Sequence, residues 1–154
     1  MKPHVKLSLQ EVYVGASAGI VRRISGIARG GTETNNCPVD GGWQRDIEGA
    51  LAEMALAKHF GLFWSGIEKI NAGDVGEYEV KHSSHNKARL LVPLNNDRLD
   101  NWFWLVTGLH GSYTIHGCML GRDAMQERYV DEPVPKRPCY CVPQSDLKPT
   151  PEVL

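Results

Sequence analysis

Ala72-Gly73-Asp74-Val75-Gly76-Glu77-Tyr78-Glu79-Val80-Lys81-His82 is where helical spacing gives way to strand alternation. Glu79 and Lys81 stand two apart, so a strand puts both on one face and turns Val80 to the other. Gly76 marks a turn that folds Asp74, just before the strand, back beside Glu79. Two carboxylates brought together repel unless a cation sits between them. Mg²⁺ (or Mn²⁺) suits that position because it takes oxygen ligands and keeps several waters. A lysine on the same face can orient or deprotonate a water, or stabilise a phosphorane. Together these groups are the apparatus of metal-assisted phosphodiester hydrolysis. The plainer reading is an amphipathic edge strand that turns Glu77, Glu79 and Lys81 to water, with ion pairing worth little.

Upstream, Val12, Ala16, Ile20 and Ile24 recur at helical spacing, with Ile27 three further on, and predict a helix over about 8–29. Gly15, Gly19 and Gly26 weaken that helix but permit close packing. The polar, glycine-rich run from Arg29 to Gly42 reads as a loop, and WQRDIEGALAEMALAKH predicts a second helix from Trp43 to His59. Downstream, β-type runs cover 77–82, 89–94, 102–107 and 113–120, separated by turn chemistry, with a short helix over 121–129. Prolines at 133, 135, 138, 143, 149 and 151 predict an extended wrap and a loose tail. The order is α+β: two N-terminal helices, then a mostly antiparallel or mixed sheet. A chain of 154 residues suits one domain, divided into an N-terminal helix and loop (1–42), a core (43–130) and a tail (131–154). The net charge of −1 excludes a basic whole-surface coat, though a local basic patch remains open. No apolar run approaches a membrane span and the N-terminus lacks a signal-like h-region, so the expected location is cytoplasmic.

The pattern D-x4-E-V-K, preceded by a helix bearing the glutamate of Gly49-Ala50-Leu51-Ala52-Glu53-Met54-Ala55, resembles the PD-(D/E)XK nuclease superfamily. That resemblance implies a restriction-endonuclease-like core and a Mg²⁺-dependent nuclease acting on DNA. It makes Asp74 and Glu79 metal-binding acids and Lys81 the catalytic lysine. Glu53 completes the metal site, with the Val80 carbonyl as a further ligand. Most of the chain, including LVTG, YTIHGCMLGRDA and VPQSDL, also resembles small phage-encoded proteins, which implies the host cytoplasm.

Lys81, His82, His85, Lys87 and Arg89 form a basic cluster suited to backbone phosphates, with Ser83 able to add a hydrogen bond. An ordinary polar hairpin loop would have the same composition. Arg22, Arg23 and Arg29 read as a solvated helix face rather than a phosphate site. Glu48 follows Arg45 by three positions and reads as a surface pair. Glu53 sits among small apolar residues without a cation on its own helix, so a metal or Lys81 is its expected partner. Trp102 and Trp104 share one strand face, Phe103 the other, and core packing or a subunit interface is the expected use.

Two rival readings stand beside the nuclease. One is a catalytically silent DNA-binding or structural module on the same fold. The other is a zinc-stabilised interaction protein that uses Cys139 and Cys141 with His110 or His116.

Overall fold

A computed structural model describes residues 1–30, 42–67 and 73–151. A short strand, β1 (His4–Lys6), precedes the helices α1 (Leu9–Ala28) and α2 (Gly42–Phe60). Four strands follow: β2 (Tyr78–Ser83), β3 (Leu90–Pro93), β4 (Trp102–Leu109) and β5 (Ser112–Leu120). A one-turn helix, α3 (Gly121–Ala124), leads to β6 (Val130–Val134) and β7 (Arg137–Val142). The architecture is α+β. Most of the loop expected at 29–42, with Cys37, lies outside the described residues, as do 68–72 and 152–154.

The helix start at Ser8 is a reciprocal cap. Ser8 Oγ accepts from the Glu11 N–H at 3.1 Å, and the Ser8 N–H donates to Glu11 Oε2 at 2.6 Å. The spacing Val12, Ala16, Ile20, Ile24 correctly indicates a helix but not its buried face. Gly15 and Gly19 are buried against α2, whereas Ile20, Ile24 and Ile27 are exposed. A Cβ on Gly19 would lie 2.5 Å from the Ile47 Cα, so glycine alone lets the helices approach this closely.

Sheet order is β1-β5-β4-β2, with β2 parallel to β4 and the other pairs antiparallel. A second sheet has the order β3-β7-β6. The aromatic triplet divides as its alternation predicts. Trp104 and Val106 pack towards Leu51, Ala55 and Leu56 of α2, whereas Phe103 and Leu105 pack towards Leu90, Val92 and Val142. The four-stranded sheet therefore lies between the helices and the second sheet. The connection between the parallel strands β2 and β4 runs out through β3 and back.

The proline-rich stretch is extended but not loose. Its residues 130–142 form the β6–β7 hairpin, and Lys148 pairs with Cys118 of β5. Pro133 is tolerated because β6 is an edge strand. Pro138 is tolerated because β3 pairs with β7 only from Cys139 onward.

His116 of β5 is buried. Lys2 Nζ can only donate, so at 3.0 Å it fixes Nδ1 as acceptor and leaves the Nε2 proton for Thr107 Oγ1 at 2.6 Å. Burial, then the Lys2 charge, holds its pKa below the ordinary 6.5. A depressed histidine stabilises the fold above the unfolded pKa and loses that contribution as pH falls, because the unfolded chain takes up the proton more readily. Thermal melts should therefore show lower stability at pH 5 than at pH 7.5. His116→Phe should flatten that part of the profile, and an unchanged slope would remove His116 as its source.

Candidate functional site

β2 is an edge strand, and the site is built along its open side. Gly76 at φ 60° makes the tight turn by which Val75 and Tyr78 exchange hydrogen bonds of 3.1 and 2.9 Å. That turn brings Asp74 alongside the strand, where its Oδ2 accepts the Val80 N–H at 2.7 Å. In an extended strand a residue's N–H and C=O point to the same side. The Val80 carbonyl therefore also faces this open edge.

Glu79 and Lys81 share the face that looks towards the second sheet. Their register partners in β4 are Phe103 and Leu105, and Lys81 Nζ lies 5.9 Å from the centre of the Phe103 ring. Arg98 forms an ion pair with Glu79 Oε1, and Asn101 Nδ2 donates to the same oxygen at 3.1 Å. Glu53 approaches from the helix side. The charges of both Glu53 and Glu79 act on Asp74. Desolvation first, then Glu53, raises its carboxyl pKa from 3.8 to about 7, with Glu79 adding to the rise and the Val80 N–H and Lys81 opposing it. Asp74 thus lies at the strand edge, with Glu79 and Lys81 on the face towards the second sheet and Glu53 on the helix side.

Two expectations about the α2 acids need correction. The protein partner of Glu53 is not Lys81. Arg22 of α1 grips both its oxygens at 2.8 and 2.7 Å, and the Trp64 indole donates to Oε2 at 3.1 Å. Arg22 is accordingly no solvated face residue, and Arg23 approaches Asp46 at 3.9 Å. Glu48 is not a surface acid paired with Arg45. It is buried, accepts the Tyr113 hydroxyl and the His110 N–H (3.0 Å), and lies 3.4 Å from His110 Nδ1. Helical spacing set the two acids on different faces but misjudged the face of Glu48, which is buried, and it gave the partner of neither, because Arg22, Trp64 and Tyr113 arrive from other elements.

Beyond Lys81 the strand opens into a groove of about 450 Å³ whose lining includes His82, Ser83, His85, Lys87 and Arg89. Some of these groups are already engaged. His82 Nε2 meets the Gly108 carbonyl at 2.8 Å, Ser83 Oγ accepts the His85 N–H at 3.1 Å, and Arg89 pairs with Asp131 at 2.8 Å. Ser83 therefore shapes the turn.

No family model, curated protein or solved structure matches the chain.

Among the described residues no three His, Cys, Asp or Glu side chains cluster closely enough to hold a metal ion. Mg²⁺ commonly takes only one or two protein carboxylates, completing its shell with water and substrate phosphate. Asp74, Glu79 and the Val80 carbonyl are an oxygen set of that size and chemistry. Glu53, with both oxygens on Arg22, is a neighbour to it. The C-x-C thiols share a face, with Sγ atoms 3.4 Å apart. His116 is held by Lys2 and Thr107, and His110 stands beside Glu48, so neither joins them. Burial pushes the Cys118 and Cys141 thiols up to about 12. No helix among the described residues is long and apolar enough to cross a membrane.

Proposed function

We propose that the protein is a metal-dependent nuclease with a restriction-endonuclease-like core, hydrolysing DNA phosphodiester bonds. The observation that carries this reading is the double position of Lys81. It stands on the same strand face as Glu79, next to Val80, whose N–H holds Asp74, and it also lines the basic groove. A scissile phosphate held by Lys81 would have its flanking backbone in reach of His85, Lys87 and Arg89.

In this reading Asp74 and Glu79, with the Val80 carbonyl, hold Mg²⁺ or Mn²⁺. The ion supplies Lewis-acid help to the phosphodiester. Lys81 orients the attacking water or stabilises negative charge building on the phosphate. Arg22 fixes Glu53 on the helix side of the site. The same-fold DNA-binding module is the second reading, favoured by the engagement of Glu53 and Glu79 with Arg22 and Arg98.

Cleavage of a DNA panel with Mg²⁺ or Mn²⁺, against the same reactions in EDTA, separates the two. The nuclease cuts only with the metal, whereas the silent module binds DNA and never cuts. Because Asp74 must lose its proton to ligate, apparent metal affinity should rise with pH through about 7 and level off above it. Affinity that stays flat between pH 6 and 8 would remove Asp74 from the site.

A further inference from the structure

The side of α1 turned away from α2 is apolar and exposed. Tyr13, Val14, Ile20, Val21, Ile24 and Ile27 are between 38% and 76% accessible. At about 100° per residue they fall within an arc of about 140°, and Glu11, Arg22 and Arg23 all lie outside it. An apolar stripe of this kind, interrupted by Ser17, marks an interaction surface. Residues 31–41, outside the described structure, offer it only Cys37, Pro38 and Val39 as apolar cover. A membrane-surface helix would turn lysines and arginines along the borders of the stripe to the lipid headgroups, whereas Arg23, which borders it, approaches Asp46, and Arg22 grips Glu53.

We infer that the stripe pairs with its own copy, α1 against α1 in antiparallel orientation, to make a two-fold dimer. The line Gln10, Tyr13, Ser17, Ile20, Ile24, Ile27 advances in steps of 3, 4, 3, 4 and 3 residues, a sequence identical when reversed. A two-fold axis between residues 18 and 19 therefore sets Tyr13 against the partner's Ile24, and Ser17 against the partner's Ile20. Gln10 meets the partner's Ile27 beside an open groove of about 410 Å³ lined by Leu9, Gln10, Tyr13 and Val14. Opposed helix dipoles suit this arrangement. The six apolar side chains offer roughly 400 Å² per copy. The polar and small residues of the same face bring this towards the ~600 Å² per partner at which specific association begins. The inference does not depend on the nuclease reading.

Sedimentation equilibrium of the intact chain from about 1 to 500 µM tests it. The wild type should sediment at twice the chain mass. Ile20→Glu with Ile24→Glu should raise the dissociation constant at least about 100-fold, with an unchanged circular dichroism spectrum. If that variant fails to fold, Tyr13→Lys alone should weaken the dimer. A wild type that stays monomeric throughout, or a dimer that survives these substitutions, would overturn the proposal. So would a monomer that floats with phosphatidylserine vesicles, since that would assign the stripe to a lipid surface.

Discussion

Lys81→Ala is expected to lower metal-dependent DNA cleavage about 10³-fold, the usual cost of losing one group that moves a proton or stabilises charge in the transition state. The fold should survive, because Lys81 stands at an edge strand beside a groove rather than within either apolar cluster. Metal binding should survive as well, since the lysine contributes no ligand. Lys81→Arg keeps the charge and should retain DNA affinity. It should recover little cleavage, because a guanidinium is bulkier and stays protonated. Single-turnover cleavage measured beside DNA-binding anisotropy separates these effects. Undiminished cleavage by Lys81→Ala would take the residue out of the mechanism and leave the silent DNA-binding module as the better reading.

The second large effect is a contrast between the two acids of α2. Glu53→Gln should reduce cleavage about 100-fold, because it breaks the two-pronged charged contact with Arg22 that orders the helix side of the site. Glu48→Gln should act differently. It disturbs a buried acceptor that holds the Tyr113 hydroxyl and the His110 N–H, at a cost of about 1–3 kcal/mol. That corresponds to a thermal midpoint lower by roughly 2–10 °C, with cleavage per folded molecule unchanged. Melting and cleavage of both variants side by side decide the assignment. Loss of cleavage confined to Glu48→Gln would mean that the working acid lies on the other face of the helix.

Both α2 acids illustrate how far local spacing reaches. Glu48 and Glu53 are five residues apart and cannot face the same way, which follows from helical geometry alone. What each meets depends on chains that arrive from elsewhere: Arg22 is 31 residues from Glu53, and Tyr113 is 65 from Glu48. The same holds for Glu79, whose partners Arg98 and Asn101 come from the connection before β4. Nothing in the D-x4-E-V-K pattern names them. A buried carboxylate demands a partner, and that demand was the one available signal that such residues exist.

What the sequence determined by itself was local. Helical spacing specified the first two described helices, and two-residue alternation specified β2 to β5 to within a few residues. The alternation also set the opposite faces of Phe103 and Trp104, and the shared face of Glu79 and Lys81. These follow from backbone geometry repeated over adjacent residues. Only the tertiary structure decided which helix face is buried, because the close contact of α1 with α2 selects glycines over the larger isoleucines. Only it placed the proline-rich stretch in a sheet, since strand partners distant in sequence supply the pairing that local propensity opposes. Only it brought Asp74 onto the strand that carries Glu79 and Lys81, through the hydrogen bond from the Val80 N–H. Long-range packing sets such positions, and spacing along the chain carries no record of it.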